Sequence, residues 1–536
     1  MNNPFPDWPS SAPGIRFGGA YPGRFGQAIS LDKIHGQRDN GPMPRVTNAL
    51  FFCAGMLFLT VLSSAAERPN FIFFLADDLG FNDVGFNNPD SFYETPHLDQ
   101  LADSGTVFTD FYAACQVCSP TRASIMTGKY PARLKTTNFF SGKRPGTFEP
   151  AFFEEHLALE ETTVAEALRE GGYQTYFAGK WHLGPKGYEP ELQGFDINRG
   201  GGVNGAPRSY FAPYKNIESL KDGPEGEYLT NRLALESETF LRQAAKSGKP
   251  FLLYHSFYGV HTPLQAPEAL VEKYRKKAEK LGLTSDDGRF ESGHEAQVWP
   301  ESKDPRVVRI RQDHAVYAAM VESLDIAVGR ILKTLEESGA AGDTVVVFMS
   351  DNGGLSTSEG LPTSNIPLRG GKGWIYDGGI REPMVVRWPG VTRPGTRCNV
   401  PLISTDFYPT MLEMAGLAAR PDQHVDGMSF VPLLRNPFAK FERGPIFWHY
   451  PHYSNQGGFP ASAVRLGNHK LIQNLEDGSI ELYNLEEDLR EHNNLEQLEA
   501  DSVKELLGTL NAWRRQIGAE SLQKNKKTGA TPPVLW

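Results

Sequence analysis

The chain has 536 residues, a hydrophobic fraction of 40%, a charged fraction of 22% and a formal net charge of -10. This is the composition of an ordinary globular protein, and the length exceeds what one hydrophobic core usually serves, so we expect a large domain and a smaller one. The negative charge balance argues against nucleic acid as the main partner. It also means that a site for an anion must be a local concentration of arginine and lysine.

The N-terminal region contains a pattern typical of a secretory signal. After Met43 come a basic residue, an apolar run over residues 49–62, and small residues that end at Ala66. The run is short for a membrane span, and no other segment is long enough for one. We therefore expect an exported protein, periplasmic or secreted, that is not integral to the membrane. Residues 1–66 are assigned to an N-terminal extension and signal peptide, and a start at Met43 is favoured.

Beyond this region the sequence predicts an α/β fold. Apolar runs alternate with amphipathic helical patterns, which indicates a large, mostly parallel central sheet flanked by helices over residues 67–440. The helices with the clearest patterns are predicted at residues 95–105, 163–170 and 313–337. A hairpin at residues 463–472 and a helix at residues 502–517 predict a smaller C-terminal α+β subdomain over residues 441–536, with an antiparallel sheet and one helix.

Polar residues follow four of the predicted strands. The strands and the residues after them are 71–76 with Asp77 and Asp78, 173–178 with Lys180 and His182, 251–257 with His261, and 344–349 with Asp351 and Asn352. In open α/β sheets ligands bind at the carboxyl ends of the strands, so these separate segments are expected to form one pocket.

Four cysteines are present, and Cys53 falls within the predicted signal peptide. Cys115, Cys118 and Cys398 remain, an odd number for an exported protein. Cys115 and Cys118 have the C-x-x-C spacing of a redox motif or of half a zinc site. Because no second C-x-x-C pair follows, the zinc interpretation is weak.

The most informative motif is C-S-P-T-R at residues 118–122. Pro120 favours a helix start, which would place Cys118 at the positive end of the helix dipole, with Arg122 on the same face. A nucleophile, helix-end amides and a guanidinium would then converge on one point, as a tetrahedral oxyanion requires. The alternative is a buried thiol before a capped helix.

This motif, with T-G-K downstream, resembles the signature of formylglycine-dependent sulfatases of the alkaline-phosphatase superfamily. Further motifs of that family occur in order within residues 68–440: A-D-D, G-K-W-H-L-G, V-H-T-P, S-D-N-G and G-G-K-G-W-I-Y-D-G-G-I-R-E-P. The resemblance implies an alkaline-phosphatase-like fold and hydrolysis of sulfate esters. It further implies that a maturation enzyme oxidises Cys118 to formylglycine.

The acidic motifs predict a metal site. Asp77, Asp78, Asp351 and Asn352 offer only oxygen ligands, which suit calcium or magnesium and are poor for zinc. The resemblance points to calcium and adds position 118 to the ligands. The alternative is that these residues merely end strands or form turns.

The resemblance also implies the catalytic roles. Arg122, Lys180 and Lys372 would stabilise the charge on the sulfate, and His261 or Lys372 would protonate the departing alcohol. His182 would act as the base that expels sulfate from the enzyme. The alternative for the two histidines is a place in the core, the usual fate of a lone histidine.

Substrate contacts are expected on the rim of the pocket. Residues 448–455 are dense in aromatic and polar groups that could bind a sugar, and the candidate substrate residues are Asn204, Arg208, His314, His449 and His452. The similarity to bacterial polysaccharide and glycosaminoglycan sulfatases favours exo-acting removal of sulfate from galactose or N-acetylgalactosamine. Alternatively, the aromatic residues pack a domain interface.

Two other functions stay open at this point. One is a phosphate or phosphonate ester hydrolase of the same superfamily. The other is a non-catalytic redox or carbohydrate-binding protein in which Cys115 and Cys118 form a disulfide.

Overall fold

The structure is a computed structural model that describes residues 68–292 and 307–536. The predicted extension and signal peptide, with Cys53, lie outside the described residues. All described residues belong to one compact unit, and the boundary expected at residue 440 stays a prediction. Within them, no helix has both the length and the apolar character needed to cross a bilayer.

Strands and helices alternate along much of the chain. The strands are β1 Asn70–Ala76, β2 Thr106–Phe108, β3 Phe111–Tyr112, β4 Gln174–Gly179, β5 Ile197–Arg199, β6 Phe251–Ser256, β7 Phe290–Ser292, β8 Val307–Arg309, β9 Thr344–Ser350, β10 Met384–Arg387, β11 Thr396–Cys398, β12 Leu402–Ile403, β13 Ile446–Tyr450, β14 Ala461–Leu466, β15 His469–Asn474 and β16 Ile480–Asn484. The helices are α1 Pro96–Asp103, α2 Cys118–Thr127, α3 Pro131–Leu134, α4 Val164–Glu170, α5 Leu229–Ala244, α6 Glu268–Lys280, α7 Ala315–Glu337, α8 Asp377–Ile380, α9 Phe407–Met414, α10 Val431–Arg435 and α11 Ala500–Ile517. Short 3-10 segments occupy Pro190–Gln193, Ala341–Asp343 and Ser404–Asp406.

The central sheet has eight strands in the order β11-β2-β10-β9-β1-β6-β4-β5. Its strands run parallel to one another except β10, which is antiparallel to β9 and β2. In β1, Ile72 and Phe74 pack on one face of the sheet, and Phe71 and Phe73 pack on the other. Burial on both faces explains why the strand is a continuous apolar run, and the predicted mostly parallel sheet is confirmed.

Helices cover both faces of this sheet. Residues of α1, α5, α6 and α7 form the core on one face, and residues of α2, α4, α9 and α10 form it on the other. α7 begins at Ala315 because the side chain of His314 accepts a hydrogen bond from the backbone N–H of Tyr317 at its N-terminus. α4 begins with a capping box between Thr163 and Glu166. These helices occur where the periodicity predicts them.

A second sheet, in the order β13-β14-β15-β16, is antiparallel throughout and packs against α11. The predicted hairpin and C-terminal helix are confirmed. The sequence allows residues 448–455 to be either a pocket rim or aromatic packing at an interface, and the first residues of this segment are in the interior. Trp448 and Tyr450 belong to β13 and are each 1% exposed, and the Trp448 Nε1–H donates to the Ala113 carbonyl. The indole therefore packs in the interior between the C-terminal sheet and the segment before α2.

A buried charged triad joins the second sheet to the loop after Lys372. Lys470 on β15 lies 2.8 Å from Asp377 on α8 and 2.8 Å from Glu491, and all three side chains are 0% exposed. The carboxylate of Glu491 also accepts a hydrogen bond from the Asp377 backbone N–H. Pairing of this kind offsets the cost of burying the charges.

Candidate active site

The site lies where four adjacent parallel strands end. β9, β1, β6 and β4 are neighbours in the central sheet, so the residues that follow them share one edge. Buried polar side chains at this edge are Asp77, Asp78, Lys180, His182, Ser256, Asp351 and Asn352. The expectation that these separate segments meet in one place agrees with the structure.

Cys118 is the first residue of α2 and follows Val117, whose backbone is extended. Its side chain is 3% exposed, and its Sγ lies 3.8 Å from Asp77 Oδ1. Burial raises the pKa of the Cys118 thiol to about 12, although Lys180 and Lys372 oppose that rise. The motif therefore places position 118 at a helix N-terminus, between acidic and basic groups.

Arg122 lies one helical turn further along α2 and is also buried. Its Nε donates to Asp351 Oδ2 at 2.9 Å, and its remaining contacts include Ser256 Oγ at 2.7 Å and the Lys180 carbonyl at 2.8 Å. These bonds fix the guanidinium at the ends of three strands. Ser256 was not among the predicted site residues, because a serine at the end of an apolar strand gives no signal of its own.

Each of the two acids after β1 faces a lysine. The Lys180 ammonium lies 2.8 and 2.7 Å from the two carboxylate oxygens of Asp77, and Lys372 Nζ lies 2.8 Å from Asp78 Oδ2. Burial works against ionisation of Asp78, but Lys372 and neighbouring cations outweigh it and hold the pKa of that carboxyl below its usual range. Burial raises the pKa of Asp77, and Lys180 opposes the rise.

The two histidines occupy different positions. Burial, followed by the charges of Lys180 and Arg122, lowers the pKa of His182 well below its usual range. The ring of His182 is therefore neutral, and its Nδ1 is buried without a partner among the described residues. His261 is 15% exposed, with Nε2 3.6 Å from Asp78 Oδ2 and Nδ1 2.8 Å from the Thr262 carbonyl.

Asp78 and His182 both have left-handed backbones, with φ of 62° and 55°. This conformation is strained for residues with a side chain, and such strain persists where the surrounding structure enforces it. Asp78 is the second residue after β1 and His182 the third after β4, so both lie at the edge of the sheet where the polar cluster is formed.

The acidic residues form a site that fits a hard divalent cation. One ligand atom from each of Asp77, Cys118 and Asp351 lies within 4.8 Å of the others, and so do atoms of Asp78, Cys118 and His261. The Asn352 amide donates to Asp78 Oδ1 at 2.8 Å, which leaves Asn352 Oδ1 buried without a donor in the described part of the chain. An amide oxygen and buried carboxylates are the donors that calcium and magnesium prefer.

Asp83, which was not predicted, holds the loop after β1 in place. Its buried carboxylate accepts hydrogen bonds from the hydroxyls of Tyr317 and Thr363, at 2.6 Å each, and from the Gly80 backbone N–H at 2.9 Å. Tyr317 also contacts the Asp78 carbonyl at 3.3 Å. In the sequence, Asp83 is an acid in a segment that contains glycines and apolar residues. An exposed turn has the same pattern, so the sequence did not indicate that Asp83 is buried.

The predicted substrate residues divide into two groups: two residues of a loop beside His182, and three histidines that have internal partners. The loop that contains Asn204 and Arg208 lies against His182, because a Cβ added to Gly205 would be 2.6 Å from the His182 ring. His449 has internal partners, because its nitrogens lie 2.6 Å from Ser462 Oγ and 2.7 Å from the Glu520 carbonyl, and its role in substrate binding stays a prediction.

The other two histidines also have internal partners. His452 is 1% exposed, and its Nε2 lies 2.7 Å from Thr137 Oγ1. His314 caps α7. A role in substrate binding stays a prediction for both.

The family comparison agrees with this geometry. The family profile described as "Sulfatase" matches residues 69–417, which contain every residue of the polar cluster. The chain belongs to the sulfatase family. A second profile, "N-sulphoglucosamine sulphohydrolase, C-terminal", matches residues 371–516 and includes the second sheet and most of α11.

Similar proteins cover most of this sulfatase. A "Sulfatase" of Formosa agariphila is 31% identical over 541 residues, covering 86% of this chain and 92% of the relative. The N-acetylgalactosamine-6-sulfatase of Sus scrofa is 30% identical, covering 72% and 70%. The crystal structure of Ps i-CgsB in complex with k-i-k-neocarrahexaose superposes with a TM-score of 0.67 at 27% identity, covering 83% of this chain and 93% of that one.

The protein is thus a sulfuric ester hydrolase with an alkaline-phosphatase-like fold. Cys115, Cys118 and Cys398 are free and buried, so the disulfide expected for a redox protein is not formed. The structure therefore does not support the non-catalytic redox alternative.

Proposed function

We propose that this sulfatase removes sulfate from a carbohydrate, using a formylglycine made from Cys118 and a calcium ion, with magnesium as the alternative. The observation that carries the proposal is the position of Cys118. It begins α2, and its Sγ lies within 4.8 Å of ligand oxygens of Asp77 and Asp351. The residues that would hold the ion are Asp77, Asp78, Asp351, Asn352 and the modified side chain at position 118.

Two chemical groups absent from the unmodified chain complete the site. A bound cation would supply positive charge to the sulfate oxygens. The hydrated aldehyde would offer two hydroxyls on one carbon, one as the nucleophile toward sulfur and the other for the release of sulfate, which a serine could not provide. A maturation enzyme that oxidises Cys118 is therefore a required partner.

Three cations of the chain bind and orient the sulfate. Lys180 and Lys372 are the basic residues whose charges act on position 118, and both are buried. Arg122 is fixed one turn along the same helix by Asp351. Buried, preorganised charges of this kind stabilise developing negative charge more strongly than they would in water.

Proton transfer is assigned to the remaining residues. His261 or Lys372 protonates the oxygen of the departing alcohol, because both side chains lie beside Asp78, with His261 Nε2 at 3.6 Å and Lys372 Nζ at 2.7 Å from its carboxylate. His182 is neutral in its buried position, so it can accept the proton of the second hydroxyl at position 118. These roles separate departure of the alcohol from release of sulfate.

The proposed substrate is a sulfated galactose or N-acetylgalactosamine residue at a chain end. The Sus scrofa relative is named N-acetylgalactosamine-6-sulfatase, and the similar Ps i-CgsB structure holds k-i-k-neocarrahexaose. The loop with Asn204 and Arg208, which lies against His182, would contact this sugar. The pattern before Ala66 favours export to the periplasm or the medium.

Position 118 provides the test. In a host competent for maturation, the peptide with residue 118 should show the mass of an aldehyde and react with hydrazine. Cys118→Ala should fold and be inactive, whereas Cys115→Ser should retain most activity. Full turnover of sulfate esters by protein with an unmodified Cys118 thiol would disprove the mechanism. Faster turnover of a matched phosphate or phosphonate ester would instead favour that hydrolase activity.

A further inference from the structure

Two loops pack together beside Lys372. One follows β9, and the other joins β13 to β14. Thr357 Oγ1, on the first loop, donates to the Gln456 carbonyl on the second at 2.9 Å. The second loop also lies against the residue after Lys372, because a Cβ added to Gly373 would come within 2.7 Å of Gln456 Cβ. The two loops thus form one wall next to the catalytic lysine.

Two polar side chains of this wall, Glu359 and Asn455, have unused acceptors, and a hydrogen bond links the two residues. Glu359 Oε1 accepts hydrogen bonds from Asn455 Nδ2 at 2.8 Å and from Gln456 Nε2 at 2.7 Å. Glu359 Oε2 and Asn455 Oδ1 are buried and have no donor among the residues that the structure describes. The backbone of Glu359 is left-handed, with φ of 49°, a strained conformation of the kind found at functional sites.

The wall borders the segments of the two groups that could protonate the departing sugar oxygen. A Cβ added to Gly360, the residue after Glu359, would lie 3.7 Å from Leu264, three residues after His261. The first loop therefore lies beside the segment of His261, and the second lies beside the residue after Lys372.

We infer that Glu359 and Asn455 select the sugar by accepting hydrogen bonds from free hydroxyls next to the sulfated position and by excluding a second anionic group there. The inference rests on the proposed carbohydrate sulfatase function. Both unused atoms are acceptors, and sugar hydroxyls are donors that would satisfy them. A sulfate or carboxylate at the same place would meet a fixed like charge, which disfavours the wrong partner. The substrate class is thus a residue with one sulfate and free neighbouring hydroxyls.

The test compares two substrates in two variants. A panel of sulfated monosaccharides identifies the monosulfate with the highest kcat/KM, and its counterpart with a second sulfate on the adjacent hydroxyl is the paired substrate. The wild type should prefer the monosulfate by about tenfold or more, and Glu359→Gln should reduce this ratio by about tenfold, since it removes the like charge. Asn455→Ala keeps the carboxylate, so it should raise KM for the monosulfate and still discriminate against the disulfate.

Controls separate selection from structure. Glu337→Gln, at a side chain 56% exposed on α7, should leave the substrate ratio as in the wild type. Glu359→Gln should melt near the wild-type temperature. Equal proportional losses on both substrates would overturn the inference, because a structural defect scales both rates alike. The proposed function is tested separately: if the wild type hydrolyses no sulfate ester, that function fails, and if it hydrolyses aryl sulfates but no sugar sulfate, the inference fails.

Discussion

Replacement of Lys470 by methionine tests the buried triad that ties the second sheet to the loop after Lys372. The Lys470 ammonium lies 2.8 Å from an oxygen of Asp377 and 2.8 Å from one of Glu491, and none of the three is exposed. The variant leaves two carboxylates without their shared cation. Removal of one partner of a buried pair costs about 3–5 kcal/mol of unfolding free energy.

The hydrogen bonds that remain keep the loss within this range. Asp377 retains the Tyr112 hydroxyl at 2.8 Å, and Glu491 retains the Asp377 backbone N–H at 2.7 Å. These donors stabilise the ionised acids in part, so the full cost of two bare charges is not expected.

The loss should depend on pH in a definite direction. Burial raises the pKa of Glu491 to about 7 against the pull of Lys470, so its contribution to stability is present below about pH 4.5 and is lost as pH rises through about 7. Burial alone would raise the pKa of Asp377, but Lys470 and two arginines outweigh burial and lower this pKa to about 2. The contribution of Asp377 to stability is therefore lost only as pH falls through that value.

Without Lys470 both pKa values rise, and the two carboxyls of the folded variant bind more protons near neutral pH than those of the folded wild type. In the unfolded chains the two carboxyls bind equal numbers of protons, and the Lys470 proton cancels because it is present in both states of the wild type and in neither state of the variant. The difference in unfolding free energy between the wild type and the variant therefore increases with pH, by up to about 1.4 kcal/mol per pH unit for each extra proton. This difference should be smaller at pH 5 than at pH 8.

Urea unfolding at pH 5 and pH 8 measures the effect. The double variant Lys470→Met, Glu491→Gln should recover part of the loss at pH 8, because it removes one of the two uncompensated charges. Lys333→Met, in a pair whose lysine is 75% exposed, should change stability by less than about 0.5 kcal/mol. A loss from Lys470→Met below about 1 kcal/mol at pH 8, or an equal loss at both pH values, would refute the reasoning.

The remaining predictions concern the chemistry. Chelation should abolish activity and calcium or magnesium restore it, and Asp351→Ala should remove the ion; stoichiometric zinc in the active enzyme by elemental analysis would contradict this. His261→Ala should slow an alkyl sulfate far more than an activated aryl sulfate in steady-state assays, because the aryl leaving group needs little protonation, and equal losses would exclude His261 as the acid. His182→Ala should slow release of sulfate from the enzyme, seen as a trapped sulfated protein by mass spectrometry.

The sequence determined the elements whose patterns are complete in themselves. The strands before Asp77 and Asp351 are apolar runs because both faces of the central sheet are covered, so their length and their polar ends could be predicted. α7 carries its core residues at helical spacing, and Cys118 lies in a motif whose proline indicates a helix start, where Cys118 is the first residue of α2. Each of these signals comes from residues close together in the chain.

Only the tertiary structure decided which polar groups are buried together. Lys470 lies on a strand like any surface lysine, and Asp377, its partner, is distant in the chain. Glu359 and Asn455 are 96 residues apart, yet they share a hydrogen bond. The sequence left open whether Trp448 lies at a pocket rim or packs at an interface, and it lies in the interior. Burial of a charge or a large ring depends on the partner that satisfies or covers it, and that partner comes from a remote segment that local sequence patterns do not specify.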